Sequence, residues 1–203
     1  YGVDIRKEGS GNPGTTNVIR TIGLKSGILT LGIDVLKAFI AVRIGMQFAG
    51  LKGGMVAFAA VVLGHCFPAI YKFKGGKGVA ASFGAAIAFN WPSAFAMLII
   101  AMIALFIWRR MSLASIIAAI TYPGLMYFYE PEGTIFTFAV AAFVIIMHTP
   151  NIKRLLKGEE PPLSFGRKDK SDLTKAEDKD NDKADINIKK DVPITDDEKE
   201  KII

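Results

Sequence analysis

The sequence predicts an all-α fold: a polytopic transmembrane helical bundle followed by a disordered, charged C-terminal tail. Three observations lead there. Six apolar stretches fill most of the first 163 residues. The polar segments between them are sorted by charge. The composition then changes abruptly: residues 1–163 hold 15 Lys/Arg against 7 Asp/Glu, whereas residues 164–203 hold 10 against 12 and a single aromatic residue, Phe165.

The apolar stretches are residues 28–48, 51–71, 79–89, 92–108, 112–129 and 133–148. A helix needs about 20 residues, within a range of about 17–25, to cross the hydrocarbon of a bilayer. Most of the stretches reach that or come close. The third is short and needs Gly78, or Asn90 and Trp91, to complete it. The sixth is marginal, and Pro150 ends it. Residues 92–108 carry no charge and no polar face repeating every 3.6 residues, which excludes a soluble bundle. Residues 164–203 have too few apolar side chains to fold alone and read as a solvated tail. Two regions result: a membrane domain, 1–163, and a cytoplasmic tail, 164–203.

Loop charges orient the bundle. One side carries Arg6, Lys7, Arg20 and Lys25, then Lys72, Lys74 and Lys77, then Arg109 and Arg110, then Lys153, Arg154 and Lys157. The other carries Lys52 with Glu130 and Glu132. The positive-inside rule puts the basic set in the cytoplasm. Every glycine-rich or basic motif then falls on one face. The chain opens at Tyr1 on a polar loop with no signal-peptide pattern. One cysteine, Cys66, lies in an apolar run, so no disulfide within the chain and no metal cluster is expected.

Three constellations could carry chemistry. The first runs from Gly9 through Asn17 to Arg20. Ser10, Asn12, Thr16 and Asn17 can hydrogen-bond an oxyanion, a helix starting near Pro13 adds free N–H groups, and Arg20 can bind phosphate through two parallel hydrogen bonds. The plainer reading is an ordinary Asn/Pro/Gly loop with a helix cap. The second runs from Gly64, His65, Cys66, Phe67 and Pro68 to Lys74, Gly75, Gly76, Lys77 and Gly78. Three glycines let backbone approach a ligand closely, and the lysines suit an anion. It is not a Walker loop, because Gly78 and Val79 stand where the magnesium-binding hydroxyl would be. A phosphate without a nucleotide metal is expected. Its plainer readings are a topology-setting basic loop and, for His65, a structural donor. The third is His148, Thr149, Pro150 and Asn151, then a basic stretch closing at Glu160. His148 could act as a general base or proton donor. Asn151 could simply cap the helix after Pro150. Within the first span, Asp34 and Lys37 share a helix face and suit a structural pair, although Lys37 could reach the cytoplasmic pocket. Arg43 is expected to snorkel toward the other surface.

Together these segments resemble the bacterial acyl-phosphate:glycerol-3-phosphate acyltransferases, the PlsY family, over residues 1 to about 163. The resemblance implies a seven-helix membrane enzyme whose first helix would precede Tyr1, so this chain is expected to lack it. It also implies transfer of a fatty acyl group from acyl phosphate to the 1-hydroxyl of sn-glycerol 3-phosphate in phospholipid biosynthesis. Ser10, Arg20, His148 and Asn151 match positions tied to catalysis. Lys74, Gly75, Gly76, Lys77 and Gly78 match the glycerol-phosphate loop, with Asn12, Thr16, Asn17, Lys37 and His65 as further substrate-binding candidates. Glu160 matches a position linked to structural integrity. No cofactor, metal or nucleic acid is implied. The implied partners are the two substrates, membrane lipid and the enzyme that makes acyl phosphate. Three positions depart from the family pattern: Thr15 replaces a usual alanine, and Met147 and Thr149 replace arginines flanking the third-motif histidine. The His-x4-Asp pair of other glycerol-phosphate acyltransferases is absent, since Ile70 and Lys153 stand at that offset, five residues after His65 and His148. A small anion transporter would need inverted repeats and broken mid-membrane helices, and no internal repeat is visible. A non-catalytic scaffold that keeps a phosphate site is the third possibility.

Overall fold

The computed structural model describes residues 2–163. The predicted tail, 164–203, lies outside the described residues. Those residues are helical, with no strand among them. The order is α1 (Thr15–Thr21), α2 (Leu24–Cys66), α3 (Val79–Phe89), α4 (Trp91–Trp108), α5 (Met111–Tyr129), α6 (Thr134–Met147) and α7 (Thr149–Leu156), with short 3₁₀ turns between some of them.

At about 1.5 Å per residue, the 43 residues of α2 would reach twice the thickness of a bilayer core as one rod. They do not form one rod. Ala49 and Gly50 leave helical geometry, with Gly50 at φ 56°, and the chain turns back as two arms. Gly45 and Gly53 face each other across the arms. A Cβ on either would strike backbone of the other, so the close approach depends on glycine. The arms are the first two predicted spans. The second arm stops at Cys66, five residues before the predicted end. Pro68 disfavours helical geometry at Phe67, which sits at φ −126°, ψ 59°, and a 3₁₀ turn over Ala69–Tyr71 follows.

α3 is too short to span alone. It is tolerated because most of it is buried against protein, with Ala81, Gly84, Ala85, Ala86, Ala88 and Phe89 all covered. α4 and α5 match the predicted fourth and fifth spans and present Phe106, Ile107, Ile120 and Phe128 outward, as a lipid-facing surface should. An aromatic cluster ties the bundle together. Phe58 meets Phe136 at 5.5 Å and Phe89 at 6.2 Å between ring centroids, joining α2, α3 and α6.

The last span ends within one residue of its predicted limit, at a bend. α6 stops at Met147 and α7 restarts at Thr149, bent by 62°. Pro150 lacks the N–H that would bond the Ile146 carbonyl, and the helix breaks at His148, two residues before the proline. The Thr149 hydroxyl donates to the freed Ile146 carbonyl at 2.6 Å. His148 stands at the bend.

The polar loops meet at one end of the bundle. Arg6 Nε donates to the Lys74 carbonyl at 3.3 Å, and its guanidinium lies 4.1 Å over the Tyr71 ring. The Leu163 N–H donates to the Arg109 carbonyl at 2.7 Å. Sorting by charge and contact in space thus select the same face.

Candidate functional site

The site is assembled around Asn151. Its side-chain oxygen accepts a hydrogen bond from Lys77 Nζ. Its side-chain nitrogen donates to Glu160 Oε1 at 2.7 Å. Arg154 Nε donates to the other oxygen of Glu160, also at 2.7 Å. Asn151 is therefore not a helix cap: α7 begins two residues before it, and both ends of its amide are engaged elsewhere. Asn151 and Arg154 share a face of α7, three residues apart, and Glu160 returns to them after the chain turns at Gly158, φ 73°.

Electrostatics follow from that packing. Burial pushes the Lys77 ammonium below the ordinary lysine range, Glu160 opposes this, and Arg154 and Arg20 reinforce it. Arg20 of α1 is thus within electrostatic reach of Lys77. Burial would raise the Glu160 carboxyl, but the hydrogen bonds from Asn151 and Arg154 and the Arg154 charge oppose it, and the group is held below its ordinary value. The cluster brings three cations, Arg20, Lys77 and Arg154, against one anion, Glu160. His148 is 2% exposed, and its Nδ1 lies 2.8 Å from the Val144 carbonyl. A carbonyl only accepts, so Nδ1 carries the proton and Nε2 keeps a free lone pair.

The first motif forms a separate frame. Asn17 is 2% exposed; its Oδ1 accepts from the Ser10 N–H at 2.9 Å and its Nδ2 donates to the Glu8 carbonyl at 2.9 Å. The whole Asn17 amide holds the loop that presents Ser10, which is exposed. Asn12 lies against Gly14, and Thr16 is half-buried in the first turn of α1.

The glycines of the second motif approach protein closely. Gly75 and Gly76 donate their N–H groups to the Cys66 and His65 carbonyls at 3.0 and 3.2 Å, closing the end of α2. Lys74 is exposed, and Gly78 holds φ 82° before α3. Lys37 and His65 join Asp34 in a second polar cluster. Lys37 Nζ is 2.5 Å from Asp34 Oδ1, and His65 Nδ1 is 3.2 Å from the same oxygen and 3.0 Å from Lys37 Nζ.

Two pairings had no signal in the sequence. Ser112, buried at the start of α5, reaches the Glu160 environment from a different helix. Asp34 meets His65 only because α2 folds back on itself. Arg154 did have a signal, three residues after Asn151, but read as one basic residue among several.

The family model for glycerol-3-phosphate acyltransferase matches residues 1–158. The chain belongs to the glycerol-3-phosphate acyltransferase family. Glycerol-3-phosphate acyltransferases similar to it include one from Endomicrobium trichonymphae, 44% identical over 82% of this chain and 85% of the relative, and one from Shewanella loihica, 40% identical over 83% of each. Among solved structures, it resembles the integral membrane glycerol 3-phosphate acyltransferase PlsY (YgiH) in its glycerol 3-phosphate form. That match has a TM-score of 0.76 at 36% identity, covering 80% of this chain and 84% of that one. The lysophosphatidic acid form of the same protein matches with a TM-score of 0.71 at 35% identity, over 77% and 82%. As a glycerol-3-phosphate acyltransferase family member, the chain is an integral membrane protein built on the PlsY fold.

Proposed function

We propose that this chain transfers a fatty acyl group from acyl phosphate to the 1-hydroxyl of sn-glycerol 3-phosphate, giving lysophosphatidic acid and phosphate at the cytoplasmic face of a bacterial membrane. The observation that carries this reading is the surplus of two positive charges around Asn151, beside a buried histidine whose Nε2 lone pair is free. Such a site attracts a phosphate dianion and can take a proton. The forms in which PlsY was solved, with glycerol 3-phosphate and with lysophosphatidic acid, support the same substrate and product here.

In the proposed reaction the 1-hydroxyl oxygen attacks the acyl carbon of the donor. The new ester C–O bond forms, the C–O bond to phosphate breaks, and phosphate leaves with the bonding pair. His148 Nε2 accepts the hydroxyl proton. Arg20 and Lys77 offset the charge that builds on the departing phosphate. Ser10 positions the donor. Phosphate is a good leaving group, so no acyl-enzyme is needed, and Cys66 is buried in the apolar core. A basic loop face and an apolar helix surface suit a substrate with a charged head and a lipid tail.

The test is purified protein in detergent or nanodiscs, given labelled glycerol 3-phosphate with acyl phosphate, acyl-CoA or acyl carrier protein in parallel. Lysophosphatidic acid formed from acyl phosphate alone is the expected result. Product from acyl-CoA but not acyl phosphate would overturn the donor assignment.

A further inference from the structure

We infer that Asp34 and His65 are positioning residues: they seat Gly76, and through it the backbone that carries Lys77. The inference rests on the reading of Lys77 as a ligand of glycerol 3-phosphate.

The two arms of α2 turn at Ala49 and Gly50, so Asp34 and His65 stand at the same height, each about 15 residues from the turn. Asp34 is buried, Lys37 sits one turn along, and His65 Nδ1 faces both charges. Either tautomer is held. A protonated Nδ1 donates to Asp34, and a bare one accepts from Lys37. The ring is thereby fixed, and its opposite edge lies against Gly76. The three atoms nearest a Cβ at Gly76 are all in the His65 ring, and His65 Nε2 would be struck first. Gly76 is buried, and its N–H is bonded to the His65 main-chain carbonyl. One residue thus holds the loop by backbone and by ring. Lys77 follows directly and meets Asn151.

Charges at this depth in a membrane helix are costly and mark a role. A leucine pair would pack the arms without that cost, but would not hold an imidazole edge in one plane. The cluster has no charge surplus of its own, because Lys37 and Asp34 cancel. It acts on the ligand through the loop.

The experiment measures KM for glycerol 3-phosphate, turnover at saturation and glycerol 3-phosphate affinity by calorimetry in the full chain. His65→Ala and Asp34→Asn should each raise KM and Kd about tenfold, a change of about 1.4 kcal/mol, with turnover within about threefold. Gly76→Ala should raise KM at least as much. The double variant His65→Ala/Gly76→Ala should be no worse than His65→Ala, because removing the ring makes room for the new methyl. Multiplicative effects in the double variant, or an unchanged KM in His65→Ala, would overturn the inference. Should Asp34→Asn fail to fold, the 65/76 cycle decides alone. Wild-type protein inactive with every acyl donor would instead sink the proposed function, and calorimetry would still report on the seat.

Discussion

The chain's two histidines lie in polar clusters of opposite design. Around His148, residues from α1, the Lys77 loop, α7 and the Glu160 turn gather three cations against one anion. Around His65, two arms of one helix supply a lysine and an aspartate that cancel. Each ring is pinned through Nδ1. Nε2 of His148 remains free, whereas that of His65 lies against the Gly76 backbone. The difference teaches which cluster needs something from outside. An unbalanced positive group draws an anion, whereas a balanced one draws none and serves the scaffold.

The sharpest way to break the comparison is His148→Ala. Turnover should fall by about 100-fold or more, as should that of Ser10→Ala if Ser10 positions the donor. Near-normal turnover in both would remove the chemistry from this cluster. Next comes Glu160→Ala, which leaves Asn151 and Arg154 without their acceptor. We expect a loss of about 2 kcal/mol, read as a lower thermal midpoint. Because the Glu160 carboxyl is held below its ordinary value, its contribution is complete above the ordinary glutamate range and disappears as pH falls through the lowered value. The acid limb of melting temperature against pH should therefore flatten in Glu160→Gln.

Lys77→Ala should raise KM for glycerol 3-phosphate by about 20-fold and lower turnover less, the loss of a charge-assisted hydrogen bond. The opposite split would move Lys77 to the donor site. Because burial lowers the Lys77 pKa, KM should climb on the alkaline side sooner than an ordinary lysine would make it. Lys77→Arg, which keeps its charge, should abolish that climb. The smallest effect belongs to Lys37→Gln. Its side chain is 41% exposed, so KM should stay within about threefold, worth less than about 1 kcal/mol. A large effect there would mean that the second cluster touches substrate directly.

The helices were legible in the sequence because apolar length and loop charge report on the bilayer, which acts on each segment separately. The hairpin break was legible too, since Gly50 sits between two full-length runs. The end at Cys66 was harder: the apolar run continues to Tyr71, and Pro68 decides against it locally. At the site, Arg20, Lys77, His148 and Asn151 were named from motif chemistry and Glu160 from the family resemblance, and the structure brings them together. What the motifs did not reveal was the direction of each hydrogen bond. Asn17 and Gly76 have groups suited to an anion, yet those groups face Ser10, Glu8 and His65.

Sequence alone determined the membrane class, the sorting of polar motifs to one face and the chemical types at the site. Hydrophobic length and charge are properties of single segments, so no fold is needed to read them. Tertiary structure decided that Asp34 meets His65, that Ser112 approaches Glu160, and that the loop glycines close the end of α2. Those pairings depend on where a helix turns back and which helix lies beside it, and only packing in three dimensions settles that.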